Sequence, residues 1–186
     1  MLAVKTPKII STGGTSEIAF ALGRSSLGEI LVARGDKGIC AILLGDDSKS
    51  LIRDLGDLFA RDRLVGAQAS PDPALAEVLE AAKQAVEEPW RKFDLPLDIR
   101  GTEFQREVWR ELREIPAGTT TSYTEIARRI GAPKALRAVA GACAANVLAI
   151  AIPCHRVLRS NGSLSGYRWG LERKRRLIER EQGHRA

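Results

Sequence analysis

Cys154 and His155 stand side by side in the run Ile152-Pro153-Cys154-His155-Arg156-Val157, and no other pair in the chain has comparable chemical capacity. A free cysteine thiol has a pKa of about 8.5 and attacks well only as the thiolate, so it needs a base. Pro153 fixes its own φ and biases Ile152 towards extended conformations, which places the thiol on a constrained backbone. On an extended strand adjacent side chains point to opposite faces, so His155 would reach Cys154 only across a local turn or an intervening water. A carboxylate orienting the imidazole would complete a relay. Glu172, Glu179 and Glu181, on an expected C-terminal helix, are the candidates. A Cys-His pair by itself is more often a packing cysteine beside a histidine.

Composition narrows the setting. The chain has 186 residues, 44% hydrophobic and 28% charged, as an ordinary globular protein has. It contains no run of about 18 apolar residues that would span a membrane. Its first residues do not read as a secretory signal. The three cysteines, Cys40, Cys143 and Cys154, are expected to be reduced in a cytosolic compartment. With two histidines, His155 and His184, and no Cys-x-x-Cys, no metal site is expected. Charge is uneven: residues 101–186 hold 16 Lys and Arg against 8 Asp and Glu, whereas residues 1–100 hold 13 against 15. A basic region joined to a slightly acidic one fits polyanion binding by one part of the chain, and equally a solubilising surface.

The elements that must position the pair follow from pattern. Residues 1–15 read as a flexible leader. Glu17–Leu22, Glu29–Ala33 and Gly38–Leu44 read as strands at hairpin spacing. Ser48–Phe59 and Leu75–Val86 read as helices, and Phe93–Ile99 as a strand or extended connector. After residue 100 the chain is mainly helical. Thr102-Glu103-Phe104-Gln105 is a capping box opening a helix to Leu112, and Ser122-Tyr123-Thr124-Glu125 is another, opening a short helix to about Ile130. Gly131-Ala132 turns the chain, and Pro133 suits the first position of a further helix running to about Ala145. Two short helices across a glycine turn resemble a helix-turn-helix. The last helix is rich in Ala and Gly, with Lys134 at its start and Arg137 as its long cationic residue. It is either packed tightly inside the domain or pressed against DNA. Ser160-Asn161-Gly162-Ser163 marks a hairpin-like turn.

These residues carry a resemblance. Pro153-Cys154-His155-Arg156-Val157 is similar to the active-site signature of the O6-alkylguanine-DNA alkyltransferases. Gly101–Gln105, Ile115-Pro116-x-Gly118, Ser122-Tyr123, Pro133–Val139, Ala144-Ala145-Asn146, Gly162–Gly170 and Glu181 extend the likeness. It covers about residues 16–182 and is most like the C-terminal alkyltransferase part of bacterial Ada proteins.

The resemblance implies an α+β fold, with a small RNase H-like domain over 16–99 and a winged-helix, helix-turn-helix domain over 100–186. It implies that Cys154 accepts the alkyl group, that His155 deprotonates it through a water, and that Glu181 orients His155. Asn146 would tie the DNA-binding helix to the active site. Arg137 would fill the space left by a flipped guanine in the minor groove, with Lys134 and Ala138 on the same DNA-binding surface. Tyr123 would turn the nucleotide's phosphate and meet the guanine edge. Pro153, Val157, Tyr167, Arg168 and Trp169 would line the base pocket. The implied partner is duplex DNA with O6-alkylguanine, and O4-alkylthymine as a further substrate. The S-alkyl thioether product has no easily hydrolysed carbonyl, so one turnover per molecule is expected, without cofactor or metal; a monomer is expected, with cooperative assembly along DNA as the alternative. Trp169 is expected to crowd the pocket and favour methyl.

Three other readings compete with this one. A non-catalytic reader of alkylated bases would lack the acceptor cysteine, which is present. A cysteine hydrolase would leave the alanine-rich helix and Arg137 unexplained. A sequence-reading transcription factor would carry longer polar side chains for the major groove.

Overall fold

The computed structural model describes residues 16–68 and 72–184. The leader expected over 1–15 lies outside them. Strands β1 (Glu17–Ser25), β2 (Gly28–Gly35) and β3 (Gly38–Gly45) form an antiparallel meander, and β4 (Arg63–Gly66) adds parallel to β1, giving the order β3-β2-β1-β4. Helix α1 (Ser48–Leu58) follows β3, and α2 (Pro73–Glu87) follows β4.

The period of two in β2 divides the core. Ile30 and Val32 pack with Leu75, Val78 and Val86 of α2, whereas Leu31 and Ala33 pack with Leu51, Leu55 and Leu58 of α1. The helices therefore cover opposite faces of the sheet. In β3 strict alternation breaks. Ala33 pairs with Ala41 and Arg34 with Ile39, so Cys40 is the extra residue of a bulge. That slip lets Ile39 and Ile42, three apart, face the same cluster.

The free edge of β3 is covered by two distant segments. Ile39 bonds Pro96 and Asp98, and Ile42 bonds Val147 and Ala149. Phe93–Ile99 is thus a connector with a single bridge at Leu97 rather than a strand. The second contact ties the sheet to the stretch leading into Cys154.

Helix α3 (Glu103–Arg113) starts with the expected capping box, Thr102 and Gln105 each bonding the other's backbone N–H. Val108, Trp109 and Leu112 are buried, and the Trp109 indole N–H bonds the Ala142 carbonyl at 2.8 Å. A Cβ on Gly101 would lie 2.6 Å from the Trp109 ring, so this approach needs glycine.

Two-residue β5 (Thr121–Ser122) leads into α4 (Tyr123–Arg129). Ser122 caps it through Glu125 N–H, but the Glu125 carboxylate turns to Arg128 and Arg129, so only half of the expected box forms. Gly131 (φ 70°) ends the helix, with Ala132 N–H bonding Ala127 O. Helix α5 (Leu136–Ala145) begins later than expected. Pro133 is not its first residue. It lies inside the turn Ala132–Ala135, closed by Ala135 N–H to Ala132 O, where its fixed φ suits the second turn position.

Cys154–Arg156 forms one 3-10 turn, β6 (Val157–Leu158) pairs parallel to β5, and α6 (Leu171–Gly183) closes the described chain. Arg159 and Ser163 close the loop at 159–163 by backbone bonds, but β6 pairs with β5 and not across a hairpin.

Candidate active site around Cys154

The turn that carries Cys154 hangs from the β3 edge. Asn146, the residue after α5, donates through Nδ2 to Ile152 O at 2.9 Å and to Cys154 Sγ at 3.2 Å, and accepts Leu148 N–H at 2.9 Å. It is buried, and its three bonds join the end of α5 to the thiol. Ile150, a β-branched residue, is held at φ 69° in the same turn. Such a backbone costs of the order of 1–3 kcal/mol and persists only where the surroundings impose it.

Cys154 is 4% exposed and His155 is wholly buried. The 3-10 turn removes the strict opposition expected of an extended strand, yet no direct bond joins the two side chains. His155 Nε2 instead lies 2.8 Å from Glu181 Oε1. An ionised carboxylate only accepts, so Nε2 carries the hydrogen and Nδ1 presents its lone pair. Nδ1 is buried without a partner among the described residues.

Of the three candidate carboxylates, Glu181 is therefore the one that meets the imidazole. Glu172 pairs with Arg175 and Arg176, and Glu179 is exposed. Glu181 also accepts Gly118 N–H at 2.9 Å and the Arg156 guanidinium at 2.9–3.1 Å. Arg156 further bonds the carbonyls of Ile115 and Pro89.

Electrostatics follow from burial. Burial raises the Cys154 thiol above its ordinary value, while the Asn146 bond and the Lys174 charge oppose this. Burial lowers His155 against the pull of Glu181, leaving it a neutral base. Burial would raise Glu181, but its bonds from His155 and Arg156 outweigh that and hold it low. A thiol protonated at rest beside a neutral imidazole is a nucleophile awaiting proton removal.

Around this centre, Tyr123 Oη lies 2.7 Å from Ser165 Oγ, and burial raises its hydroxyl pKa. Tyr167 presents a buried hydroxyl without a partner among the described residues, and its ring meets Trp169 edge-on at 5.1 Å. Val157 and Pro153 are buried, and Arg168 reaches Ala144 O at 3.4 Å. Arg137, Ala138 and Lys134 are exposed at and before the start of α5, and Arg137 makes no hydrogen bond or ion pair among the described residues. Tyr123 thus belongs to the thiol's surroundings, and Arg137, Ala138 and Lys134 to a separate outer surface.

Sequence reasoning missed Lys174 and Ser165 and left Arg156 without a role. Lys174 is wholly buried and has no carboxylate partner among the described residues. Its Nζ donates to Val157 O at 2.6 Å and Ser165 O at 3.3 Å, tying the strand after Cys154 to the loop that leads into α6. Its only signal was spacing: Lys174, Leu177 and Glu181 recur at i, i+3 and i+7 on one helix face. Of the other cysteines, Cys143 joins the core that holds Cys154. Cys40 bonds Ala33 O, its thiol pushed up to about 12 by burial.

Comparison with known proteins agrees with this geometry. The family model described as 6-O-methylguanine DNA methyltransferase, DNA binding domain, matches residues 103–183. The Escherichia coli bifunctional transcriptional activator/DNA repair enzyme Ada is 50% identical over 95% of this chain and 49% of its own length. The inducible methylated-DNA–protein-cysteine methyltransferase of Bacillus subtilis is 42% identical over 67% of this chain and 70% of its own. The crystal structure of Mycobacterium tuberculosis OGT in complex with DNA superposes with a TM-score of 0.71 at 33% identity, covering 89% of this chain and 93% of that one. The chain spans about half the length of the Ada proteins it matches. On the relatives it covers most fully, the chain belongs to the methylated-DNA–protein-cysteine methyltransferase family, the O6-alkylguanine-DNA alkyltransferases.

Proposed function

We propose that this chain repairs DNA by direct reversal, moving a methyl or other small alkyl group from O6 of guanine to Cys154. The observation that carries this reading is His155. Glu181 holds one of its nitrogens, and the other, on the residue next to the thiol, is buried and has no partner among the described residues. Such an imidazole takes the Cys154 proton through a water, and Glu181 steadies the imidazolium.

The target atom lies inside the duplex, so the nucleotide is rotated out at a cost of a few kcal/mol. The α5 face enters the minor groove, only ~6 Å wide. Arg137 occupies the gap in the stack, with Lys134 and Ala138 beside it. The thiolate attacks the alkyl carbon, the S–C bond forms, the C–O6 bond breaks, and its electron pair passes to guanine. The Tyr123 hydroxyl donates to the leaving base. Pro153, Val157, Tyr167, Arg168 and Trp169 enclose the base, and Asn146 couples α5 to the thiol. The product is a thioether, which lacks the hydrolysable carbonyl of an acyl-enzyme, so each molecule turns over once. No cofactor or metal enters the transfer.

Division of the chain near residue 100, O4-alkylthymine as a second substrate, a monomeric state and a bacterial cytosolic or nucleoid location belong to the same reading. So does preference for methyl imposed by Trp169, which equal rates on methylated and benzylated guanine would refute. Non-catalytic recognition of alkylated bases is less favoured, because Cys154 is present with its relay.

The test is a duplex carrying one radiolabelled O6-methylguanine. Transfer of up to one methyl per chain, mapped by mass spectrometry to Cys154 and lost in Cys154→Ser, is expected. Selective lesion binding without transfer would leave only a damage reader.

A further inference from the structure

Behind the turn that carries Cys154 lies a cleft of about 430 Å³, which shares Pro153 with the proposed base pocket and Arg156 with the Glu181 cluster and otherwise lies apart from both. Its floor includes Ala151 and Pro153, the back of the turn whose front carries Cys154. Its walls are Trp90, Arg91, Lys92 and Phe93 on one side and Arg110 and Arg113 of α3 on the other.

The charge of this cleft is one-sided. Arg110 and Arg113 are exposed and make no ion pair among the described residues. Arg91 and Lys92 meet only local acids, Glu88 and Asp94, and their side chains are 61% and 80% exposed, so those pairs hold them weakly. Among the described residues, Glu114 is the lone acid in the lining. Along α3, Arg110 and Arg113 stand at i and i+3, about 4.5 Å of helix axis at 1.5 Å per residue, and Arg91 and Lys92 stand on the opposite wall. A nucleic-acid strand carries a phosphate every ~3.4 Å of axis, so four cations spread over two walls match successive phosphates rather than one ion.

The aromatic part is fixed in place. Trp90 stacks on His184 with centroids 4.1 Å apart and planes 8° from parallel. Cationic grooves that carry aromatic platforms bind single strands, with phosphates on the cations and bases on the rings. The cleft shares no residue with the exposed face of α5.

We propose that this cleft is a second nucleic-acid site, taking the phosphodiester backbone of one DNA strand with a base against Trp90. It is occupied independently of a duplex on α5, so one molecule holds two DNA segments and passes between them.

The test follows a fluorescein-labelled 12-mer oligothymidylate by anisotropy on the full chain, first saturated with unlabelled undamaged duplex. Binding of the strand to the saturated protein is expected. Arg110→Glu with Arg113→Glu should weaken it more than tenfold and reduce its salt slope by about 1.4, two phosphates at ~0.7 each. Trp90→Ala should weaken it about tenfold, since stacking is worth ~1–3 kcal/mol per base. Methyl transfer to Cys154 in the arginine double variant should stay at the wild-type rate, which separates this site from the proposed repair activity. Complete displacement of the strand by duplex, or unchanged affinity in the arginine variant, would overturn the proposal. So would equal competition by inorganic tripolyphosphate against wild type and Trp90→Ala, which would reveal an anion site without a base.

Discussion

His155 is held by one nitrogen and open at the other, and its titration bears on stability and on the proposed transfer alike. Burial lowers its pKa, and pairing lowers that of Glu181, so both groups bind protons more readily in the unfolded chain. Stability rises with pH wherever the unfolded state holds more protons. These groups therefore add stability that is full above their ordinary values, about 6.5 and 4.3, and is lost as pH falls through the lower folded values. Thermal melts should show stability declining from about pH 6.5 downwards, with the transfer rate falling only further into acid. Glu181→Gln should slow transfer at least ~10²-fold across the range, the scale of general-base catalysis. It should also destabilise by roughly 3–5 kcal/mol, because Arg156 is left buried without its anion. A variant with wild-type transfer would remove Glu181 from the relay. This cluster was legible through the Cys-His run and the distant Glu181. Lys174 was not, because a lysine in a strongly basic helix reads as solvated, and only the tertiary fold turns it inward against two carbonyls.

Among the elements, α5 has the face that local patterning described but did not resolve. Its small residues fitted tight internal packing or close approach to a partner. The structure separates the two at Gly141, which is exposed and where an added Cβ meets nothing within 4 Å. Internal packing gives no reason for glycine there, and glycine in a helix interior costs about 1 kcal/mol relative to alanine. Gly141→Leu should therefore leave the melting temperature unchanged or raise it while weakening affinity for undamaged duplex at least tenfold in titrations. Unchanged affinity would mean that this face is not the docking surface. Capping residues made the starts of α3 and α4 legible. Pro133 misled because the same fixed φ serves a turn as well as a first helical position. β4 has only four residues, Arg63–Gly66, and its pairing with β1 rests on partners nearly 50 residues away that no local pattern encodes. The bulge at Cys40 is equally a property of the pairing, not of the strand.

At the scale of the molecule, Glu181, which meets His155, and the buried Lys174 both sit on α6, so the candidate site depends on how that helix is docked. Two arginines fix it to the sheet region. Arg173 donates to Leu27 O at 2.7 Å and pairs with Asp46, while Arg180 bonds Val86 O, Glu87 and Ser26 Oγ. The partners lie between 93 and 154 residues away in sequence, at the turn between β1 and β2, the end of β3 and the end of α2. These contacts explain how an N-terminal region without evident chemistry can act on the site: it sets the register of Glu181 against His155. Hydrogen bonds from charged donors contribute about 1.5–3 kcal/mol when buried, and less here because both side chains retain solvent contact. Arg173→Ala with Arg180→Ala should cost about 2 kcal/mol, a fall of roughly 4–8 °C in melting temperature for a chain of this size. Below that lowered transition the variant stays folded, yet its methyl-transfer rate should drop at least tenfold while its affinity for undamaged duplex holds, because α5 does not rest on these two side chains. Equal losses of transfer and duplex affinity would point to general loosening of the fold rather than to misplacement of Glu181.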